Sequence, residues 1–385
     1  MIEIRIVKTK KETERFIDFR TELYKDDPCA VPYLFMGERD DLDRKKNPAF
    51  DFCEAEYFMA YKDGREAGRV AAIINHKANE LWQQRCVRFG YFDFIDDEEV
   101  SEALINRVME YGKEKGMDTI IGPMGFVDMD REGMLVEGFD TMATMHANHN
   151  FPYYQHHLER LGFKKDNDWV QQLVTVPDEV PEKMAKITQM IGKRYNLKAH
   201  KLTKKQLMGE YGLRFFHVLN ECYKDLYEFS ELTDRQIKKL VNDYLSIADL
   251  NLITFIFDEN KKTEESPEGE LVGFGVSFPS FSEALRKTKN GKLFPFGWWH
   301  LLRTLKWHNT DIVDLLLIGV LPEYRQKGAN AILFDDLIRW YQKYGFKKAL
   351  TLAMMETNDG VLSAWQYFEA STVKRLRSYK RKIEE

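Results

Sequence analysis

Residues 311 to 345 constrain this chain more than any other stretch. They open with Asp311-Ile-Val-Asp-Leu-Leu-Leu-Ile-Gly-Val320, a run of strand length rich in Ile, Val and Leu. They close with a segment that is apolar at Ile332, Leu333, Leu337, Ile338 and Tyr341. That spacing predicts a helix, and Gly345 predicts its end. The turn between them carries Pro322, Arg325, Lys327 and Gly328. A strand that runs through such a turn into a helix leaves several N–H groups unpaired at the helix start. The helix dipole adds partial positive charge there, so the turn suits a phosphate.

The identity of the turn residues says more. Val320-x-Pro322-x-Tyr324-Arg325-x-x-Gly328 resembles the pyrophosphate-binding signature of the GNAT acetyltransferase superfamily. The usual run there is Arg/Gln-x-x-Gly-x-Gly/Ala. Here it reads Arg325, Gln326, Lys327, Gly328, Ala329, Asn330, so Asn replaces the last small residue. Its side chain either crowds a phosphate or bonds one. The resemblance implies that this turn holds the diphosphate of acetyl-CoA or a longer acyl-CoA. It also implies that the preceding strand splays from its neighbour, and that Ile318, Gly319 and Val320 pair with the pantetheine arm. The plainer alternative is a strand–turn–helix with solvated charges.

At 385 residues the chain is long for one α/β domain and comfortable for two. Its net charge of −5 argues against a general nucleic-acid binder. Cys29, Cys53, Cys86 and Cys222 are far apart, so neither a metal site nor a disulfide framework is expected. No apolar run approaches the ~20 residues of a membrane span. Met1-Ile-Glu-Ile-Arg-Ile-Val-Lys8 lacks the apolar core of a signal peptide, and a cytoplasmic location is expected.

Taken in order, residues 1–175 read as strand, helix, hairpin, strand, helix, strand, helix, strand. The hairpin rests on Lys62-Asp-Gly-Arg65. Residues 176–196 read as a linker and helix, opened by Val176-Pro-Asp-Glu-Val-Pro181. Residues 197–385 repeat the order and carry the pyrophosphate signature. Strands are expected over 349–355 and 376–383, with a helix over 361–368. At the equivalent turn the first half has Ile95-Asp-Asp-Glu-Glu99, which suits a helix cap and would repel a diphosphate. The expected fold is therefore α/β (α+β): two tandem GNAT-like domains, each a mixed, mostly antiparallel twisted sheet flanked by helices, with CoA in the second. Glu54-Ala-Glu-Tyr-Phe58, Gly122-Pro-Met124, Val136-Glu-Gly-Phe-Asp140, Phe151-Pro-Tyr-Tyr154 and Gly319-Val-Leu-Pro-Glu-Tyr-Arg325 also resemble a bacterial family of tandem GNAT-like proteins.

Acyl transfer to an amine needs a base, a polarised carbonyl and a proton for the leaving thiolate. Glu356, after the next strand, stands where a base could face the gap; it could equally be a solvated carboxylate or cap. Asn358 matches a superfamily Asn that contacts the cofactor arm, and would serve equally as an N-cap. Seven residues on, where the superfamily often has a proton-donating Tyr, stands Trp365, whose indole has no usable pKa. Tyr367 is a candidate donor, although it lies about 200° around a helix from Trp365. Tyr379 is another. The insertion 281–310 holds Leu293-Phe-Pro-Phe-Gly-Trp-Trp-His-Leu-Leu-Arg-Thr-Leu-Lys-Trp307. It could wall a hydrophobic pocket, touch a membrane or pack between the halves.

The first expectation is an acyl-CoA-dependent N-acyltransferase, by default an acetyltransferase. Its acceptor would be a small-molecule or peptide amine lying between the halves, attacking the thioester directly, with no metal and no nucleic acid. The rivals are a non-catalytic binding protein built from degenerate GNAT domains and a transferase using aminoacyl-tRNA.

Overall fold

The computed structural model describes residues 1–358, 365 and 367–383. Among the described residues, fourteen strands join in one sheet. The first half supplies β1 (Ile2–Ile6), β2 (Cys53–Lys62), β3 (Arg65–Asn75), β4 (Cys86–Phe94), β5 (Thr119–Gly122), β6 (Met134–Glu137) and β7 (Lys164–Thr175). The second supplies β8 (Leu197–His200), β9 (Ile253–Asp258), β10 (Glu270–Pro279), β11 (Ile312–Val320), β12 (Lys348–Thr351), β13 (Met354–Met355) and β14 (Ala370–Lys382). The order across the sheet is β1-β2-β3-β4-β5-β14-β7-β12-β11-β10-β9-β8.

Local chemistry explains the elements. Asp63 and Gly64 both have positive φ, 50° and 79°, which matches the twist of the β2–β3 hairpin. The helix Lys10–Leu23 opens on a capping box made by Thr9 and Glu12. The helix Glu98–Glu114 is capped by Asp97, whose carboxylate accepts from Val100 N–H at 3.2 Å. The acidic turn of the first half is thus a cap, as expected. The helix Glu182–Tyr195 and the helix Asn330–Tyr344 fall where the apolar spacing puts them.

The two closing strands are exchanged between the halves. β14, the last strand of the chain, lies between β5 and β7. β7, from the first half, pairs with β12 of the second from Lys348↔Thr175 to Leu350↔Leu173. A cut near residue 176 therefore divides the sequence but not the sheet. The strand expected over 349–355 is also broken, because β13 leaves β12 and pairs with β7. The helix expected over 361–368 falls largely outside the described residues.

One core cluster fills the first half around Phe58, Val70, Phe89, Phe94, Leu104 and Tyr154. The second half has a core on each side of its strands. Leu333, Leu337 and Tyr341 pack on one side with Val272 and Val313. Phe215, Leu219 and Phe255 pack with Phe274 on the other. Each such side chain, fully buried, contributes ~1.5–3 kcal/mol.

Candidate active site

β11 is flanked by strands on both sides only at its start. Its parallel ladder with β12 runs from Ile312↔Lys348 to Leu315↔Thr351. β11 continues to Val320, held on its other side by β10 with a register shift at Val276/Ser277 that passes over Leu316. Beyond Leu315 its β12-facing edge has no strand partner among the described residues. The splay expected from the resemblance is present, with Ile318, Gly319 and Val320 in the free part of the strand.

That part already makes other bonds. Ile318 N–H donates to the Tyr223 hydroxyl at 3.4 Å, and the hydroxyl donates to Ile318 C=O at 3.2 Å. Tyr223 ends the helix Glu210–Tyr223. Burial pushes its pKa well up, so it remains a phenol at neutral pH. Arg325 turns back from the phosphate turn. Its Nε donates to Val320 C=O at 2.9 Å and its Nη2 to Cys222 C=O at 3.1 Å.

At the turn, Gly328 has φ 80°, where a Cβ would meet Ile191 Cδ1 at 2.9 Å. Lys327 and Gly328 N–H are already bonded, to Tyr324 and Arg325 carbonyls at 3.2 and 3.1 Å. Ala329 and Asn330 N–H have no acceptor among the described residues. They stand at the start of the helix Asn330–Tyr344, where the dipole is positive. Gln326 is exposed, and Lys327 Nζ lies 4.0 Å above the Tyr324 ring. Ala329 is fully buried, so Asn330 N–H is the accessible main-chain donor of this turn, while Arg325 is engaged by backbone carbonyls. A shallow depression of about 400 Å³ is lined by Lys186, Gln189, Met190, Lys193 and Arg194 of the helix Glu182–Tyr195.

The first half has a matching splay, but it is filled. β4 pairs with β5 only from Cys86↔Thr119 to Arg88↔Ile121. Past it, Phe94 N–H donates to Tyr154 Oη at 3.0 Å, and Tyr153 Oη bonds Phe94 C=O. Phe92, Phe94 and Tyr154 stack there with centroids 4.4–6.0 Å apart. Aromatic core fills the space a pantetheine arm would need.

A loop of the first half packs on the core of the second, and its Asp128 lies close to Tyr223. Met129 packs on the core that includes Tyr223, Phe274, Leu316 and Leu317. Beside it, Asp128, Asp130 and Glu132 gather with Glu228 around Arg88. Arg88 Nη2 and Glu228 Oε2 are 2.5 Å apart, with side chains 2% and 1% exposed. Asp128 and Glu132 are half-buried. Burial pushes the Asp128 carboxyl up to about 7; Arg88 pulls it down, and Glu228 and Asp130 push it further up. Glu132 is raised well above its ordinary value by burial and by Asp128. Glu132 Oε1 is buried without a partner among the described residues. The pair therefore holds a proton into the neutral range, and the acid excess favours a cationic ligand. Neither these carboxylates nor Tyr223 has a diagnostic spacing in the sequence. Alternating acids at 128, 130 and 132 beside Arg131 were the available signal.

The Arg88–Glu228 pair ties the halves together, and Glu228 adopts a left-handed backbone, φ 58°. Removing one partner leaves a buried charge uncompensated, which costs ~3–5 kcal/mol. Glu228→Ala is expected to lower the unfolding free energy in urea by that amount, and Glu228→Gln by less.

The other expected residues are placed as follows. Glu356 is held by Lys165 Nζ at 2.6 Å and Arg375 Nη1 at 2.7 Å. These cations also reach Asp168, as does Arg377. Burial alone would raise Asp168, but Arg377 and Lys165 outweigh it and hold the carboxyl below its usual range. Glu356 is thus a link in an ion network whose cations occupy its oxygens, and not a free base. Its neighbour Asn358 donates its N–H to Met355 C=O at 3.0 Å. Trp365 is buried edge-to-face on Phe334, centroids 5.3 Å apart, with its indole N–H unpartnered among the described residues. It lines a cavity of about 550 Å³ with Val170, Glu356, Phe368 and Arg375. Tyr367 faces outward, 49% exposed, with Lys183 Nζ 5.2 Å above its ring. Tyr379 is carried by β14 into the first-half core, so it cannot serve the splay of the second.

Residues 214–369 match the family model described as "Acetyltransferase (GNAT) family". Over 99% of its length the chain is 29% identical to Protein YghO of Escherichia coli (strain K12), covering 95% of that protein. It is 28% identical to the Bacterial ceramide synthase of Caulobacter vibrioides (strain NA1000 / CB15N), covering 85% of this chain and 82% of that one. The solved tandem GNAT protein from the clavulanic acid biosynthesis pathway aligns over 100% of this chain and 99% of its own, with TM-score 0.57 and 11% identity. A GCN5-related N-acetyltransferase from Sphaerobacter thermophilus aligns over 100% and 96%, with TM-score 0.53 and 12% identity. The chain as a whole thus has the tandem GNAT fold, and the match to the GNAT family model lies in its second half, over residues 214–369.

Proposed function

We propose that this protein is an acyl-CoA-dependent N-acyltransferase whose acceptor is an amphipathic amine. The observation that carries the proposal is Asp128 close to Tyr223, whose hydroxyl bonds Ile318 in the free part of β11. A thioester laid along Ile318 to Val320 would meet an ammonium held by Asp128. Asp128 takes a proton from the ammonium, and the free amine attacks the thioester carbonyl. The C–N bond forms, the C–S bond breaks, and the departing thiolate takes the Tyr223 proton. The second proton of the attacking nitrogen passes through solvent to restore Tyr223, and Asp128 releases the first to bulk water. Asn330 N–H would hold the diphosphate, with Gln326 and Lys327 at the rim. Four free cysteines fit a cytoplasmic site of action.

The relative named a bacterial ceramide synthase supports an acceptor of this class, because a ceramide is an N-acylated long-chain amino alcohol. The test is incubation with palmitoyl-CoA and sphinganine, following free thiol and the amide by mass spectrometry. Release of CoA with amide formation is the expected result. No release, together with no calorimetric binding of acyl-CoA at millimolar levels, would overturn the proposal. The acidic cleft weighs against an aminoacyl-tRNA donor, whose phosphates it would repel.

A second possibility, a binding protein without turnover, is favoured by Tyr223 and Arg325, which already occupy Ile318 and Val320. Tyr223→Phe separates the two. Its lost bonds to Ile318 no longer compete with pantetheine, and a net hydrogen bond is worth ~0.5–1.5 kcal/mol. CoA is expected to bind up to about tenfold more tightly in this variant. In the enzyme, kcat should fall by ~10²-fold or more as the proton donor is lost.

A further inference from the structure

The insertion between β10 and β11 has an inner and an outer side. Leu285 is fully buried with Val31 and Ala143 of the first half, and Leu301 packs beside them. Thr304 is buried, and Leu305 packs on the second-half core. Phe35 N–H donates to Gly291 C=O at 3.1 Å. The inner side thus packs between the halves, one of the expectations from its composition.

The aromatic side chains do not share that burial. Phe294 is 76% exposed, Phe296 71%, Trp307 61%, and Trp298 and Trp299 43% each. Trp299 lies 5.8 Å from both Trp298 and Trp307, centroid to centroid, so the indoles form one cluster. Exposing so many large apolar groups in one place costs hydration free energy unless something covers them. The helix that carries the indoles, Gly297–Trp307, has 11 residues, too few to cross a bilayer.

Charge says what kind of surface covers this patch. Residues 281–310 hold six Lys and Arg against one Glu, in a chain of net charge −5. Lys292 bonds Asp18 at 2.9 Å. Arg286, Lys287, Lys289, Arg303 and Lys306 are exposed and form no ion pair among the described residues. Tryptophans among unpaired cations on a short helix match the headgroup layer of an anionic membrane, where indoles sit at the interface and cations meet phosphates. A second copy of this chain would bring like charge against like charge.

We infer that the outer side of residues 286–307 docks on the surface of an anionic phospholipid bilayer, with the helix Gly297–Trp307 lying in the interfacial plane. The docking needs no acyl transfer and stands apart from the proposed reaction. It would also place β11, which follows the insertion directly, close to the membrane.

The test is flotation of the full chain with vesicles of phosphatidylcholine alone and with three parts in ten phosphatidylglycerol, read with tryptophan quenching by brominated lipid. Binding is expected to the anionic vesicles only, with quenching and a loss at high salt. Phe294→Ser/Trp298→Ser/Trp299→Ser should abolish quenching and cut binding at least tenfold. Lys287→Glu/Arg303→Glu/Lys306→Glu should cut it as much. Unchanged melting curves would show that both variants fold. Three results would each overturn the inference: no binding to anionic vesicles, binding indifferent to either triple variant, or sedimentation showing that the aromatic cluster drives self-association in place of vesicle binding. None of these readouts uses acyl-CoA, so failure here is distinguishable from failure of the acyltransferase proposal.

Discussion

A chain ending at residue 369 is expected not to fold, and residues 1–175 alone are expected to fail in the same way. Both lack β14, which pairs with β7 from Ala370↔Val174 to Lys380↔Lys164 and with β5 from Tyr379↔Gly122 to Lys382↔Thr119. Removing it opens the facing edges of β5 and β7 in the middle of the sheet. Such edges pair with other chains. It also removes Leu376 and Tyr379, 0% and 1% exposed, each worth ~1.5–3 kcal/mol of burial. Asp168 would lose Arg375 and Arg377 and become a buried charge with one remaining cation. Together these losses rival the ~5–15 kcal/mol that stabilises a typical domain. Far-UV circular dichroism and thermal melting of the truncated chains provide the check. A soluble monomer with a cooperative melt from either piece would show that the exchanged strand is dispensable.

That expectation could not have been reached from the sequence, for a physical reason. Periodicity reports which face of an element is buried, and it located β2, β3, β10, β11 and the helix Asn330–Tyr344 within a few residues. It does not report the partner. β7 and β14 both satisfy a closing strand locally, so each was assigned to its own half. Their exchange depends on contacts about 200 residues apart, such as Arg377 with Asp168. The strand–turn–helix was legible because its geometry is local: a glycine with positive φ, then N–H groups without an acceptor at a helix start. The splay was legible only through the resemblance. The ion pair of Glu356 with Lys165 was not legible, because the two residues lie far apart along the chain. Asp128 and Tyr223 carry no local signal, because what distinguishes them is their neighbours, which no spacing encodes.

Asp128→Asn is expected to lower kcat/KM by about 10²–10⁴-fold, the usual contribution of a positioned base. The pH dependence gives the sharper readout. With its carboxyl pushed up to about 7, Asp128 is protonated below that pH and competent above it, so kcat/KM should rise with pH through about 7. Asp128 titrates together with Glu132, so in the Asn variant the inflexion should move away from about 7. A rise that persists would belong to the amine of the substrate. Stability should change in the opposite sense. The unfolded chain releases the Asp128 proton near the ordinary ~3.9. The folded chain keeps it up to about 7, so between those values the folded state binds more protons. Stability at this site is therefore lost as pH rises through that window. Asp128→Asn removes the loss and should make the protein more stable than its parent at pH 8, with little difference at pH 4. Urea titrations at the two pH values test this beside the rate profile. A residue that merely braces the loop would lose stability at both pH values and leave the inflexion in place. The expected pair of results, slower and yet more stable in alkali, arises only if the buried carboxylate is kept for its proton.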